Sequence, residues 1–149
     1  MVTLSKYKWE LRFAGIALAV VLLDQLLKYL VLAFNPSLNL KIILIHLVQN
    51  TGAGFGIFKN QTLWLGIISL CAALLVLFSY KKIDKQYSSQ ILWAVFLGGV
   101  VGNMFDRFFR GYVIDFIDSG WWPAFNLADA CITISVIGLI VLYWRKKES

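Results

Sequence analysis

Two aspartates near the C-terminal end of this 149-residue chain occupy settings in which a carboxylate is costly. Asp115 falls within the β-branched stretch VIDF, and aspartate is depleted from strands. Asp129 begins the last apolar run, where Asn126 as N-cap places it at the third helical position in a near capping box. Capping therefore explains Asp129 but leaves Asp115 without an explanation.

Two carboxylates that converge at one site can act as a general acid and base. When like charges approach to about 3 Å they cannot both ionise, so one keeps its proton near neutral pH. The ionised partner can activate a water, while the protonated one polarises a carbonyl or protonates the leaving amine. Because such a pair titrates as a unit, the residues alone do not assign the two roles.

The sequence offers few residues that could support another kind of catalysis. The single histidine, His46, lies in a strand-like stretch and is interpreted as structural. No His/Cys/carboxylate cluster has metal-ligand spacing, and Ser119 has no neighbouring His or Lys to serve as a base. We therefore expect neither a metal nor another cofactor, and a hydrolytic site here is predicted to be aspartic.

The composition is that of a membrane protein. Hydrophobic residues make up 60% of the chain and charged residues 15%, against about 25% charged residues in soluble domains. The net charge of +6 arises from basic clusters beside apolar runs, which indicates topology signals rather than a nucleic-acid surface. We expect a single domain over residues 1–149, monomeric and surrounded by membrane lipids, with no nucleic-acid partner.

Four apolar segments reach the roughly 20 residues that a transmembrane helix needs: 13–34, 62–80, 90–107 and 126–144. Of the 14 lysines and arginines, three lie in residues 1–12, three in 81–89 and three in 145–147. The positive-inside rule then places both termini in the cytoplasm. The outer stretch 38–48 is predicted to be one strand and GYVIDFID a second, which gives an α-helical membrane protein with four transmembrane helices and a small extracytoplasmic β-strand element.

Further polar and small residues within the apolar segments suggest how the helices associate. Asp24 and Lys28, four residues apart, share a helix face and are predicted to form an ion pair that also contacts a neighbouring helix. Gly98 and Gly102 form a small-xxx-small pattern that lets another helix approach closely. The polar residues that extend this region are Asn103, Asp106 and Arg107. A structural role is the simpler interpretation of both groups.

The outer segment NTGAGFGIF, residues 50–58, is rich in glycine. It lacks the GKS or GKT ending of a nucleotide-binding loop. A loop that lets a backbone approach closely is the better interpretation. Asn50 is a candidate to hydrogen-bond a substrate backbone, and a purely structural turn stays open.

At these residues the sequence resembles the signal peptidase II family, the bacterial intramembrane aspartic proteases that process lipoproteins. Five motifs occur in order: DQLLK at 24–28, NTGAGFGIF at 50–58, GGVVGNMFDR at 98–107, VIDF at 113–116 and FNLAD at 125–129. Each motif alone is weak, but five in this order across most of the chain make the resemblance specific.

The resemblance implies that the catalytic pair is Asp115 and Asp129, with Asp106 as the main rival of Asp115. The positions that match residues around the site or in contact with substrate are Asn50, Gly52, Asn103, Arg107 and Asn126. Asp24 and Lys28 match supporting positions, whereas Asp118 matches no catalytic position and is interpreted as a surface carboxylate. The implied substrate is a diacylglyceryl-modified prolipoprotein, cut before its lipidated cysteine at the outer face of the bacterial cytoplasmic membrane.

One alternative is a small polytopic transporter or proton-conducting bundle in which Asp24, Asp106 and Asp129 form a relay. Such a relay needs acidic groups stepped through the depth of the membrane. Asp106, Asp115 and Asp129 instead map to the outer side, and only Asp24 lies nearer to mid-span.

Overall fold

The computed structural model of the chain describes residues 7–54 and 57–148. Its elements are α1 (Lys8–Phe34), β1 (Ser37–Asn39), β2 (Leu44–Asn50), α2 (Thr62–Ser79), α3 (Tyr87–Phe109), β3 (Val113–Asp118) and α4 (Leu127–Glu148), with a 3-10 turn at Tyr80–Lys82. Within these residues, four helices are long and apolar enough to cross a membrane. They match the four predicted spans to within a few residues. Phe55 and Gly56 of the predicted glycine-rich loop lie outside the described residues.

Helix α3 is the centre of the bundle, because α1, α2 and α4 all pack against it. Its glycines allow two of these approaches. A Cβ atom on Gly98 would lie 2.7 Å from the Ala17 carbonyl oxygen of α1, and one on Gly99 would lie 2.6 Å from the Ala128 carbonyl oxygen of α4. The predicted close approach at Gly98 is thus confirmed, and the adjacent glycine serves a second helix.

The predicted small β-strand element is an antiparallel sheet in the order β1-β2-β3. The prediction of one strand over 38–48 was wrong, because the chain turns between β1 and β2. Lys41 takes a left-handed φ of 70°, and its N–H donates to Asn39 Oδ1 at 2.9 Å. A hydrogen bond from a backbone N–H to an asparagine side chain two residues earlier stabilises a turn. The β-branched residues of this segment, taken alone, favour a strand. The second predicted strand, β3, is confirmed.

The segment after β3 folds back on that strand. Gly120 has a φ of 76°, and its N–H donates to Asp118 Oδ1 at 2.7 Å, which closes the turn. Phe125 then pairs with Ile117 through two backbone hydrogen bonds of 2.9 and 3.0 Å. This return brings Asn126 and the start of α4 directly beside Asp115.

We predict that Gly99→Ala destabilises the bundle by about 1–3 kcal/mol, because the new methyl group must displace the α4 backbone. The control is Gly15→Ala on α1, where an added Cβ has no neighbour within 4 Å among the described residues. Alanine there is expected to stabilise the helix by about 0.5–1 kcal/mol. Thermal unfolding of both purified variants measures the difference, and equal unfolding temperatures contradict the packing of α3 on α4.

Candidate active site

Asp115 lies in β3 and is almost completely buried, with 1% of its surface exposed. Both of its carboxylate oxygens accept a hydrogen bond from an asparagine. Asn50 of β2 donates its Nδ2 to Oδ2 at 2.9 Å, and Asn126 donates its Nδ2 to Oδ1 at 2.7 Å. Two neutral amide donors therefore hold this side chain in place.

Asp129 is positioned by the N-terminus of α4. Asn126 Oδ1 accepts the N–H of Asp129 at 3.0 Å, and Asp129 Oδ2 accepts the N–H of Asn126 at 3.2 Å. This reciprocal pair confirms the predicted capping arrangement. The N–H of Ala128, also in the first turn of α4, donates to Asp24 of α1 at 3.0 Å. The start of the helix is consequently fixed both by its own cap and by α1.

The Asn126 side chain links the two aspartates. Besides donating to Asp115, its Nδ2 contacts the Ile114 carbonyl oxygen at 3.2 Å and Asn103 Oδ1 at 3.0 Å, while its Oδ1 caps α4. A backbone carbonyl only accepts and a backbone N–H only donates, so the orientation of this amide is determined. One buried residue thereby sets the relative positions of Asp115 and Asp129.

A buried ion cluster lies behind this asparagine. Lys28 Nζ is 2.7 Å from Asp24 Oδ2, 2.8 Å from Asp106 Oδ2 and 2.9 Å from Asn103 Oδ1. Lys28, Asp24 and Asp106 are fully buried. The predicted Asp24–Lys28 ion pair is confirmed, and through Asp106 and Asn103 it binds α1 to α3. Each of the three N–H donors of the Lys28 ammonium group therefore has one acceptor.

Asn103 transmits this arrangement to Asp129. Its Oδ1 accepts from both Lys28 and Asn126, so its Nδ2 must point the other way, and it donates to Asp129 Oδ1 at 2.7 Å. A flipped amide would place an NH2 group against the ammonium of Lys28. The orientation of Asn103 is therefore determined by the buried charge of Lys28.

Asp106 and Arg107 are adjacent in sequence, but their side chains have different partners. Asp106 is paired with Lys28 and Arg110, and it accepts the N–H of Ile114 at 3.2 Å. Successive helix residues point about 100° apart, so Arg107 faces elsewhere. Its Nη1 lies 3.4 Å from Ser69 Oγ of α2, and its buried Nε has no hydrogen-bond partner among the described residues. The contacts of Asp106 thus lie within the buried cluster, whereas the Arg107 Nε is an unused donor within the described part of the chain.

Two adjoining cavities at the sheet end of the bundle open onto the aspartates, and together they form a cleft that we call the catalytic cleft, after the role predicted for Asp115 and Asp129. One, of about 260 Å³, is lined by Asp115, Gly52 and Lys59; the other, of about 170 Å³, is lined by Asp129 and Arg107. Asn50 lines both cavities. The residues predicted for the site therefore either line this cleft or support those that do.

Gly52 confirms the close backbone approach predicted for the outer loop. A Cβ atom there would lie 2.8 Å from the Ile57 carbonyl oxygen. Its N–H donates to Asn50 Oδ1 at 2.9 Å, which turns the Asn50 amide nitrogen toward Asp115. A side chain at position 52 would disturb both the loop and this contact.

The electrostatic environments of Asp115 and Asp118 differ sharply. Burial and, to a smaller extent, the neighbouring charge of Asp129 together raise the pKa of Asp115 to about 7, against the opposing effects of the hydrogen bonds from Asn50 and Asn126 and the charge of Lys28. Asp118 is bonded to His46 Nε2 at 3.0 Å and to the Gly120 N–H, and these contacts lower its pKa. Asp118 is a partly exposed carboxylate with a structural histidine partner.

The sequence did not reveal the roles of Gln25 and Arg110. Gln25 donates to Asp106 Oδ1 at 3.1 Å and to the Gly102 carbonyl oxygen at 3.2 Å, and it accepts from Arg110 at 2.8 Å. The spacing of Asp106 and Arg110, four residues apart in a helix, is the available signal for that pair. Gln25 has no such signal, because these three partners lie on α3 or at its C-terminal cap, far from it in sequence.

Comparison with known proteins identifies the family. The sequence model described as "Signal peptidase (SPase) II" matches residues 16–145. The lipoprotein signal peptidase of Syntrophomonas wolfei subsp. wolfei is 41% identical over 89% of this chain and 92% of that protein. The lipoprotein signal peptidase of Moorella thermoacetica is 38% identical over 89% of this chain and 91% of its own length.

The fold is also similar to that of two solved structures, each described as a bacterial membrane enzyme determined by the in meso method. The structure at 2.3 Å resolution has a TM-score of 0.84 and 27% identity, over 91% of this chain and 89% of the other. The structure at 1.9 Å has a TM-score of 0.78 and 30% identity, over 89% and 92%. On the matching sequence model and these relatives, the chain belongs to the signal peptidase II family.

Proposed function

We propose that Asp115 and Asp129 are the catalytic pair with which this chain removes signal peptides from prolipoproteins. The activity is that of lipoprotein signal peptidases, the family to which the chain belongs. The observation that carries the residue assignment is that both carboxylates line the catalytic cleft. Asp24 and Asp106, in contrast, are neutralised by Lys28 and Arg110 in the buried cluster.

The surroundings of the two carboxylates support a division of roles. Asp115 has a pKa of about 7 and holds the shared proton near neutral pH. Asp129 lies at the N-terminus of α4, where the helix dipole stabilises negative charge. In the proposed reaction Asp129 takes a proton from a water whose oxygen attacks the scissile carbonyl carbon, while Asp115 donates a hydrogen bond to the carbonyl oxygen. The proton on Asp129 then passes to the leaving nitrogen as the peptide bond breaks.

The proposed substrate is a prolipoprotein whose cysteine already carries a diacylglyceryl group, cut just before that cysteine. Both aspartates lie at the end of the bundle where β3 and the start of α4 meet, so lipid chains can remain in the bilayer while the scissile bond reaches the cleft. Arg107 lines this cleft with an Nε that has no hydrogen-bond partner in residues 7–54 and 57–148, and Asn50 borders the same cleft. These two side chains are proposed to contact the substrate peptide.

The transporter alternative finds less support in this arrangement. A proton relay needs titratable groups that can exchange protons along the membrane depth. Asp24 and Asp106 are instead fully buried and paired with cations, and Asp24 also accepts the N–H of Ala128.

The first of three predictions from the proposed function concerns the catalytic pair. Asp115→Asn and Asp129→Asn are each expected to reduce kcat by about a thousandfold or more, because neither remaining carboxylate can both activate water and supply an acid. The assay is cleavage of a diacylglyceryl-modified precursor by purified protein whose unfolding temperature is checked. Asp118→Asn, a carboxylate in the same strand, is the matched control and should retain nearly full activity. Activity that survives Asp115→Asn but is lost in a folded Asp106→Asn variant contradicts the assignment.

The second prediction concerns pH. Asp115 must be protonated to act as the acid, so kcat is expected to fall as the pH rises through about 7, approaching about tenfold per unit on the alkaline side. Asn50→Ala removes a hydrogen bond that lowers the pKa of Asp115, so the falling limb should move to higher pH. Asp118→Asn should leave the profile unchanged. A rate that stays constant to pH 9 excludes Asp115 as the acid.

The third prediction concerns orientation. We propose that the chain acts as a monomer in the bacterial cytoplasmic membrane, with its termini in the cytoplasm and the cleft at the outer face. In a Cys71→Ser, Cys131→Ser background, Leu40→Cys should react with a membrane-impermeant thiol reagent in intact cells. Gln86→Cys in the connection between α2 and α3 should react only after the cells are opened. The reverse pattern contradicts the proposed orientation.

A further inference from the structure

We propose that an apolar groove along α3 and α4, beneath the catalytic cleft, binds the apolar helix of the substrate's signal peptide. The groove is lined by Trp93, Phe96, Val136, Leu139, Ile140, Tyr143 and Trp144, and its volume is about 350 Å³. This inference rests on the proposed function, because it assumes that a peptide is cut between Asp115 and Asp129. It adds the place where the part of the peptide before the scissile bond binds.

The α3 wall of the groove lies on the same helix face as Arg107. Phe96 and Trp93 precede Arg107 by 11 and 14 residues, which correspond to about three and four helical turns. Arg107 itself contacts Ser69 of α2 and lines the cleft with Asp129 of α4, so this face points between α2 and α4. The rings of Trp93 and Phe96 meet edge to face, with centroids 5.8 Å apart, and form the α3 wall of the groove.

The α4 wall lies on the same helix face as Asp129. Val136, Ile140 and Tyr143 follow Asp129 by 7, 11 and 14 residues, or about two, three and four turns. All three side chains are exposed. The catalytic carboxylate and this wall therefore form one continuous stripe on α4.

The groove opens sideways into the bilayer. Helix α2 packs on α3, but among the described residues it makes no extended contact with α4. A helix can consequently enter from the lipid on the α2 side without separating helices that pack together. The apolar lining gives such a helix contacts in place of lipid chains.

The α4 lining of the groove, Val136 to Trp144, spans 8 residues or about 12 Å, and the stripe that joins it to the cleft extends this length to match the proposed occupant. From Asp129 to Tyr143 the α4 stripe spans 14 residues, or about 21 Å at 1.5 Å per residue. The apolar region of a signal peptide has about 7–15 residues, or about 10–22 Å as a helix. With its C-terminal end at the cleft, such a helix runs down the groove toward the cytoplasmic end of α4.

Two other apolar hollows fit this occupant less well. One is formed beside Trp64 at the start of α2, and the other beside Trp121 at the sheet. Both lie at the outer end of the bundle, level with the cleft. They are too near the outer surface to hold a helix of about 20 Å that descends from the cleft into the membrane.

The test compares two variants of α4 on two substrates. Ile140→Trp fills the groove, whereas Ile134→Trp places the same side chain on another, equally lipid-exposed face of α4. The substrates are the full diacylglyceryl-modified precursor and a lipidated peptide that begins a few residues before the scissile bond and lacks the apolar segment.

We expect Ile140→Trp to raise KM for the full precursor about tenfold with little change in kcat. Cleavage of the short lipopeptide, and both reactions of Ile134→Trp, should be unchanged.

Equal effects of the two variants, or equal loss on both substrates by Ile140→Trp, overturn the groove assignment. Cleavage of neither substrate by the unmodified protein overturns the proposed function instead. A photoreactive residue at Val136 of the Asp115→Asn protein supplies an independent measurement, because the uncleaved precursor stays bound. Crosslinks to the apolar segment of the precursor support the proposal, whereas crosslinks to lipid alone, or equal crosslinking from position 134, contradict it.

Discussion

The buried ammonium group of Lys28 is the constraint on which the rest of the site depends. A charge removed from water is tolerated only when all of its hydrogen-bond capacity is used, and loss of one partner costs about 3–5 kcal/mol. Lys28 meets this requirement with Asp24 of its own helix and with Asp106 and Asn103 of α3. The position of α1 against α3 is thus set by charge pairing as well as by the close approach at Gly98.

The same ammonium group determines the direction of the hydrogen bonds that reach the cleft. Lys28 turns the Asn103 amide nitrogen toward Asp129. The amide nitrogen of Asn126 is turned toward Asp115 by the α4 cap and by the Ile114 carbonyl oxygen. Each carboxylate therefore faces donors whose orientation cannot reverse. Such a site needs little reorganisation when charge moves between its two acids, which is the property that makes fixed dipoles effective in catalysis.

Features that depend on residues close in sequence could be predicted, and those that depend on distant contacts could not. The four spans, β3, the Asp24–Lys28 pair and the cap of α4 follow from local spacing, and all were found. The turn that divides the predicted strand 38–48 depends on the Asn39 side chain, which the β-branched residues obscured. Arg107 and Asp106 are adjacent in sequence, yet adjacency on a helix separates side chains by about 100°. The neighbours of Arg107, Ser69 and Asp129, come from two other helices.

The two aspartates have unequal surroundings, and this difference alone can assign the proposed acid role to Asp115 and the proposed base role to Asp129. Asp129 stands at a helix N-terminus, where its carboxylate completes the cap and faces the positive end of the helix dipole. Asp115 stands in a buried strand, where it receives only neutral amide donors and where burial and the charge of Asp129 favour its protonated form. Ionising Asp129 thus strengthens the preference of Asp115 for its proton. In the proposed reaction, the strand and the cap, each a local structure, give two identical side chains the separate roles of acid and base.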